Sequence, residues 1–193
     1  MTEDLSHDPR WRRFNDRDTP CPCCGRVFHG VFDIAYDHPD PWPHGNRAEH
    51  GVEVFEIGED RLTTDLCTWG AHRFIRAVLP IPIRGSDKVF SFGPWGGVNP
   101  ENFGRYVHAA ATEDWTGFEG CFAWLMNRLP GAGMDDWLPC DLVPDADPEK
   151  RPQLLVHDGH PLADWQENGI TFDRLLDIYA GAGQDIRPHL MDA

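Results

Sequence analysis

The chain has 193 residues, 40% of them hydrophobic and 25% charged, which is the make-up of a globular protein able to bury one sizeable core. Its 32 acidic residues outnumber 17 basic ones and give a formal charge of −15, so the basic face a nucleic-acid binder needs to displace counterions is missing. No stretch approaches the ~20 apolar residues of a membrane span, and the opening MTEDLSHDPR is too acidic and polar for a secretory signal.

Residues 1–20 are polar and without period, which predicts a tail or an extended wrap. The run Arg10-Trp11-Arg12-Arg13, with Asp8 and Asp16 close by, reads as a solvated face. Residues 21–185 read as a single domain and 186–193 as a C-terminal tail. Residues 37–50 are dense in Pro, Asp and His and cannot sustain a helix or central strand, so a long loop is expected, with His38 and His44 in solvent.

A β signal begins at Arg61. Arg61–Trp69 and His72–Leu79 flank Gly70-Ala71, the spacing of a two-residue hairpin. That register sets Trp69 against His72, Cys67 against Phe74 and Asp65 against Arg76, the last a favourable cross-strand charge pair. Val89 to Val98 is expected as a third strand with a bend.

Asn99 and Pro100 then open a helix carrying Phe103, Tyr106, Val107 and Ala110. Thr116-Gly117-Phe118-Glu119 has the form of a capping box, and Phe118, Cys121, Phe122, Leu125, Met126 and Leu129 follow at helical spacing, which predicts a second helix. Trp137–Val143 and Gln153–His157 read as strands. Pro161 and Gly169 bracket a short helix, and Thr171 caps the last one. Grouped strands and helices imply an α+β fold: a mixed, mainly antiparallel sheet with three to four helices and a zinc-knuckle-like N-terminal turn.

The most specific chemical signal is Cys21-Pro-Cys23-Cys24-Gly25. A Cys-x-x-Cys turn closed by Gly points two sulfurs into one concave side, where they reach a common metal. Cys21 and Cys24 are the expected pair, with Cys21 and Cys23 as the alternative chelate. One such turn supplies only two ligands, so zinc needs others; Cys67, His29 and His160 are the candidates. Six cysteines in a chain without a secretory signal are expected in a reducing, cytoplasmic setting, where metal ligation or burial outranks disulfides. A dithiol redox centre and plain burial remain as competing readings of the turn. Cys121 and Cys140 read as core residues. The group His157-Asp158-Gly159-His160 reads either as a polar turn, with His160 capping the helix begun by Pro161, or as part of a hydrolytic cluster. No phosphate loop, nucleophile elbow or His-Glu-x-x-His helix is present.

Asp65-Leu66-Cys67, Phe74-Ile75-Arg76, Ile81-Pro82-Ile83, Asn102-Phe103, Trp124-Leu125, Asn127 to Gly131, Arg151-Pro152, His160 to Ala163, Gln166 and Gly169-Ile170-Thr171 occur in an order that resembles the bacterial family catalogued as domain of unknown function 2199. The resemblance runs from about residue 21 to residue 175. It implies a single bacterial domain, supports Cys21 and Cys24 as paired thiols, and marks Cys67, Arg76 and His160 as motif positions; it implies no activity. Cys23, Gly96-Gly97 and Trp165 depart from the family pattern.

These features lead to an expected zinc-stabilised protein that acts by binding a protein partner with a basic surface, in a regulatory or immunity-type role. The alternative is a metal-dependent hydrolase whose site gathers Asp65, Arg76, His160 and Gln166 beside a Cys/His zinc. A thiol redox protein is the third reading.

Overall fold

Asp8 accepts a hydrogen bond from the Arg10 amide and Pro9 occupies the first helical position, so a helix, α1 (Pro9–Phe14), forms inside the segment expected as a tail. Its Trp11 and Phe14 are buried, and Phe14 packs against Phe172 and Tyr179 at 5.6 and 6.2 Å between ring centroids. This is a computed structural model describing residues 4–190. Within those residues both ends of the chain join the core, because Ile186 and Leu190 are buried as well.

Strands β1 (Ile34–Ala35), β2 (Phe55–Ile57), β3 (Asp60–Leu62), β4 (Leu66–Trp69), β5 (His72–Arg76), β6 (Leu79–Pro82), β7 (Val89–Gly93), β8 (Trp95–Val98), β9 (Cys121–Leu125), β10 (Leu138–Val143) and β11 (Gln153–Val156) make two sheets. The larger runs β11-β10-β9-β8-β5-β4-β3-β2 with antiparallel neighbours throughout. The smaller runs β1-β7-β6, with β1 parallel to β7. With α2 (Arg47–His50), α3 (Pro100–Thr112), α4 (Pro161–Asn168) and α5 (Phe172–Gly181), the fold is α+β, as expected. No helix among the described residues is long and apolar enough to cross a membrane.

The β4–β5 hairpin has the expected register, with Trp69 opposite His72 and Cys67 opposite Phe74. Gly70 turns it at φ +51°, a conformation that costs glycine little. Alternation along these strands builds two cores. Ile75, with the partly buried Leu66, faces the main one, while Cys67 and Phe74 face a smaller one with Trp42, Leu62 and Trp95. The loop 37–50 covers that smaller core, and α2 forms within it. Asn127, the one fully buried polar side chain among the described residues, ties the loop down: it accepts from the Trp95 amide at 2.9 Å and donates to His38 O and Asp40 Oδ1. His44 is engaged too, with Nε2 2.9 Å from Asp60 Oδ2.

Two expectations are corrected. Residues 116–129 are not a helix. Asp114 holds Thr116 in a turn, and β9 follows with Ala123 and Leu125 buried while Phe122 and Trp124 stand 45% exposed. Phe122 and Trp124 on the exposed face, added to the apolar residues of the buried face, imitate a helical stripe. Val89–Val98 is two strands rather than one bent strand, because Pro94 divides it between the two sheets.

Candidate metal centre

The cysteine turn is a closed loop of backbone. The Cys21 amide donates to Arg26 O and the Gly25 amide donates back to Cys21 O, both at 2.8 Å. Gly25 takes φ +72°, a left-handed conformation that lets the chain reverse directly after Cys24. Phe28 anchors the loop: it is buried, with the Arg13 and Arg26 guanidinium carbons 5.5 and 5.3 Å from its ring centroid.

The other half comes from the far end of the chain. Residues Arg187–His189 form a 3-10 turn after α5, with Pro188 in its first positions. Ile186 and Leu190 sink into the main core on either side, so the His189 ring is held beside Phe28, 6.3 Å between centroids. Arg187 reinforces the turn through Asp177 and Asp185 at 3.0 and 2.8 Å.

The two halves meet. Nδ1 of His189 lies 3.5 Å from Cys21 Sγ, 3.2 Å from Cys23 Sγ and 3.7 Å from Cys24 Sγ, and the Cys21 and Cys23 sulfurs are 3.1 Å apart. All four donor atoms fall within 4.8 Å of one another. A tetrahedral zinc with bonds of about 2.3 Å to sulfur and about 2.0 Å to nitrogen has ligand-to-ligand edges of roughly 3.5–3.8 Å. The three nitrogen-to-sulfur distances, 3.2–3.7 Å, lie close to those edges, and the 3.1 Å between the Cys21 and Cys23 sulfurs is shorter, so a small opening of the thiols accommodates such an ion. Three sulfurs and one imidazole also match, in type, the donor set of structural zinc.

The electrostatics favour a thiolate at Cys21. A hydrogen bond from the Cys23 thiol, aided by His189, draws the Cys21 thiol down to about 6, and the same contact pushes Cys23 up to about 11. A divalent cation would replace this shared-proton arrangement and deprotonate the thiols it binds.

The turn gathers all three sulfurs, so the geometry does not separate the Cys21–Cys24 pair from the Cys21–Cys23 alternative. Cys67 lies elsewhere, fully buried in the smaller core, where burial pushes its thiol up to about 12. His29 is exposed and is not among the gathered donors. His189 was absent from the sequence reading because no local spacing links it to Cys23, 166 residues away. The available signal was a histidine between two apolar residues, Ile186 and Leu190, in a supposed tail.

The other candidates separate. His160 caps α4, its Nδ1 accepting from the Leu162 amide at 3.2 Å. Gln166 extends the edge of β11: its Oε1 accepts from Val156 N and its Nε2 donates to Leu154 O, both at 2.9 Å. Asp65 and Arg76 are neighbours, with the Arg76 amide donating to Asp65 O at 2.9 Å, but the Asp65 carboxylate pairs with Arg151 at 2.6 Å. A cleft of ≈ 1180 Å³ lies alongside, lined in part by Asp65, Arg151, Tyr106 and Trp115, and none of its lining residues belongs to the Cys/His group.

Among curated proteins and solved structures, nothing matches the chain significantly. Residues 20–170 match a family described as an uncharacterized protein conserved in bacteria, DUF2199. That span holds the three gathered cysteines and ends before His189. With more than three quarters of its length matched, the chain belongs to the DUF2199 family of bacterial proteins.

Proposed function

We propose that this protein binds zinc through Cys21, Cys23, Cys24 and His189, and that the ion staples its C-terminal turn to its N-terminal knuckle. The observation carrying this reading is the convergence of three sulfurs and one imidazole nitrogen from opposite ends of the sequence. Four protein donors complete a tetrahedron and leave no position for a reactive water, so the ion acts in structure and not in hydrolysis. Cobalt substitution tests this. Tetrahedral cobalt bound by three thiolates and one imidazole gives intense visible bands and sulfur-to-metal charge transfer; a weak, pink, octahedral spectrum would overturn the closed site.

On that scaffold the protein acts by binding, in the cytoplasm, a partner protein with a basic surface. The formal charge of −15 supports electrostatic attraction of such a partner. Phe122, Trp124 and Leu155, each more than 40% exposed on the uncovered end of the large sheet, supply an apolar contact beside Asp141. Affinity capture at low salt from the native bacterial host is expected to retain a basic protein in stoichiometric amount, lost on Phe122→Ser/Trp124→Ser. Recovery of no stoichiometric protein would count against this role.

A second reading rests on the exposure of Cys23 and Cys24 and the 3.1 Å between the Cys21 and Cys23 sulfurs. These favour thiol redox chemistry in the metal-free protein. Mild oxidant that leaves the thiol count of the chelated protein unchanged would exclude it.

A further inference from the structure

Three arginines converge on the turn between β3 and β4. Nη1 of Arg47 donates to Thr64 Oγ1 at 3.2 Å, Nη1 of Arg76 to the Thr64 carbonyl at 3.3 Å, and Nε of Arg151 to Asp65 Oδ1 at 2.6 Å. Two of them are neutralised. Asp37 takes the Arg47 guanidinium at 2.7 Å and Asp65 takes Arg151.

Arg76 stands between them without a carboxylate partner among the described residues. Its Nε is buried and makes no hydrogen bond, and the same is true of Arg47 Nε. Burial, and then the charge of Arg151, pull the Arg76 guanidinium below its ordinary value. A guanidinium keeps its proton regardless, so the cluster carries an uncompensated cation. Scarcity of acids does not explain this, because the chain has 32 of them against 17 basic residues. A buried donor left unpaired in such a place calls for a partner, water or ligand.

We infer that Arg76, flanked by Arg47 and by the Nη groups of Arg151, forms a binding site for a small oxyanion: a phosphate or carboxylate group. The planar fork of a guanidinium accepts two oxygens side by side, and neighbouring forks fix their plane. Asp37 and Asp65 limit the charge available, leaving a net excess of one cation from three arginines and two carboxylates. The cleft beside Asp65 and Arg151 gives an attached organic body a place to lie against Tyr106 and Trp115.

The test titrates inorganic phosphate, then phenyl phosphate, into the zinc-loaded full chain while the arginine Nε–H NMR signals are followed. Saturable shifts of Arg76 and Arg151 are expected, weakened at least ~10-fold in Arg76→Gln and Arg151→Gln and unchanged in Arg84→Gln, an exposed control. Should Arg76→Gln fail to fold, Arg151→Gln decides alone, since its side chain is 40% exposed and leaves the core intact. Shifts that do not saturate, or that persist unweakened in the variants, would mean that water satisfies Arg76 and would overturn the site. Phenyl phosphate binding several-fold tighter than phosphate supports the cleft as the seat of the organic body; equal affinities would remove the cleft from the proposal.

Discussion

The Cys23 sulfur lies 3.2 Å from Nδ1 of His189, a contact spanning 166 residues of sequence. It joins an N-terminal loop that has little regular structure to a C-terminal turn of three residues. Buried residues hold both halves, Cys21 and Phe28 at the loop and Ile186 and Leu190 around the turn, and a bound metal would add many kcal/mol to that geometry.

Thiol labelling distinguishes the two classes of cysteine. In native protein freed of metal by a chelator, the exposed Cys24 is expected to react promptly, and the exposed Cys23 more slowly because its thiol is pushed up to about 11. Cys67 and Cys140, each buried and pushed up to about 12, are expected to react only after unfolding. Mass spectrometry of labelled peptides reads this directly; rapid labelling of Cys67 would show that the smaller core opens.

The same burial gives a pH dependence. The Cys67 and Cys140 thiols stay protonated in the folded state to about 12, against an ordinary value of 9.0. Tyr106 behaves alike, about 12 against 10.0. The unfolded chain therefore releases these protons first, and the contribution of these three groups to stability is full below about pH 9 and falls as pH rises from there towards 12. Urea midpoints that stay flat across that window would contradict the burial of these groups.

Phe14→Ala should cost about 3–5 kcal/mol, because the ring is fully buried against Phe172 and Tyr179. A shift in urea midpoint without change of slope is the readout. A near-neutral result would return the N-terminal segment to the status of a loose wrap.

Gln166→Ala should cost about 1–3 kcal/mol, since it leaves the Val156 amide and the Leu154 carbonyl without partners at the sheet edge. Hydrogen exchange at Val156 is expected to rise. An unchanged Val156 amide would argue against this bridging role.

Much of the fold was legible locally. Gly70-Ala71 fixed the hairpin register because side-chain alternation and a two-residue turn admit few pairings. Asn99, His160 and Thr171 start helices as their side chains suggest. The failures have physical causes. Phe122 and Trp124 lie on an exposed sheet face where polar residues are usual, so β9 presented a helix-like apolar stripe. Trp11 and Phe14 sit among charged neighbours that solvate the outer side of α1 and concealed its buried side. In the candidate site, the cysteine turn was readable because its ligands are adjacent in sequence. His189 was not, because only tertiary packing of Ile186 and Leu190 carries it there, and Cys67 was drawn in by type although its strand face belongs to the smaller core.

The most direct measurement is the zinc content of purified protein together with the unfolding midpoint of His189→Ala and Cys24→Ser. One zinc per chain is expected in the wild type, with metal lost or greatly weakened and stability reduced by several kcal/mol in both variants. Metal-free wild-type protein that refuses added zinc, or variants that keep full zinc and full stability, would contradict the four-residue site.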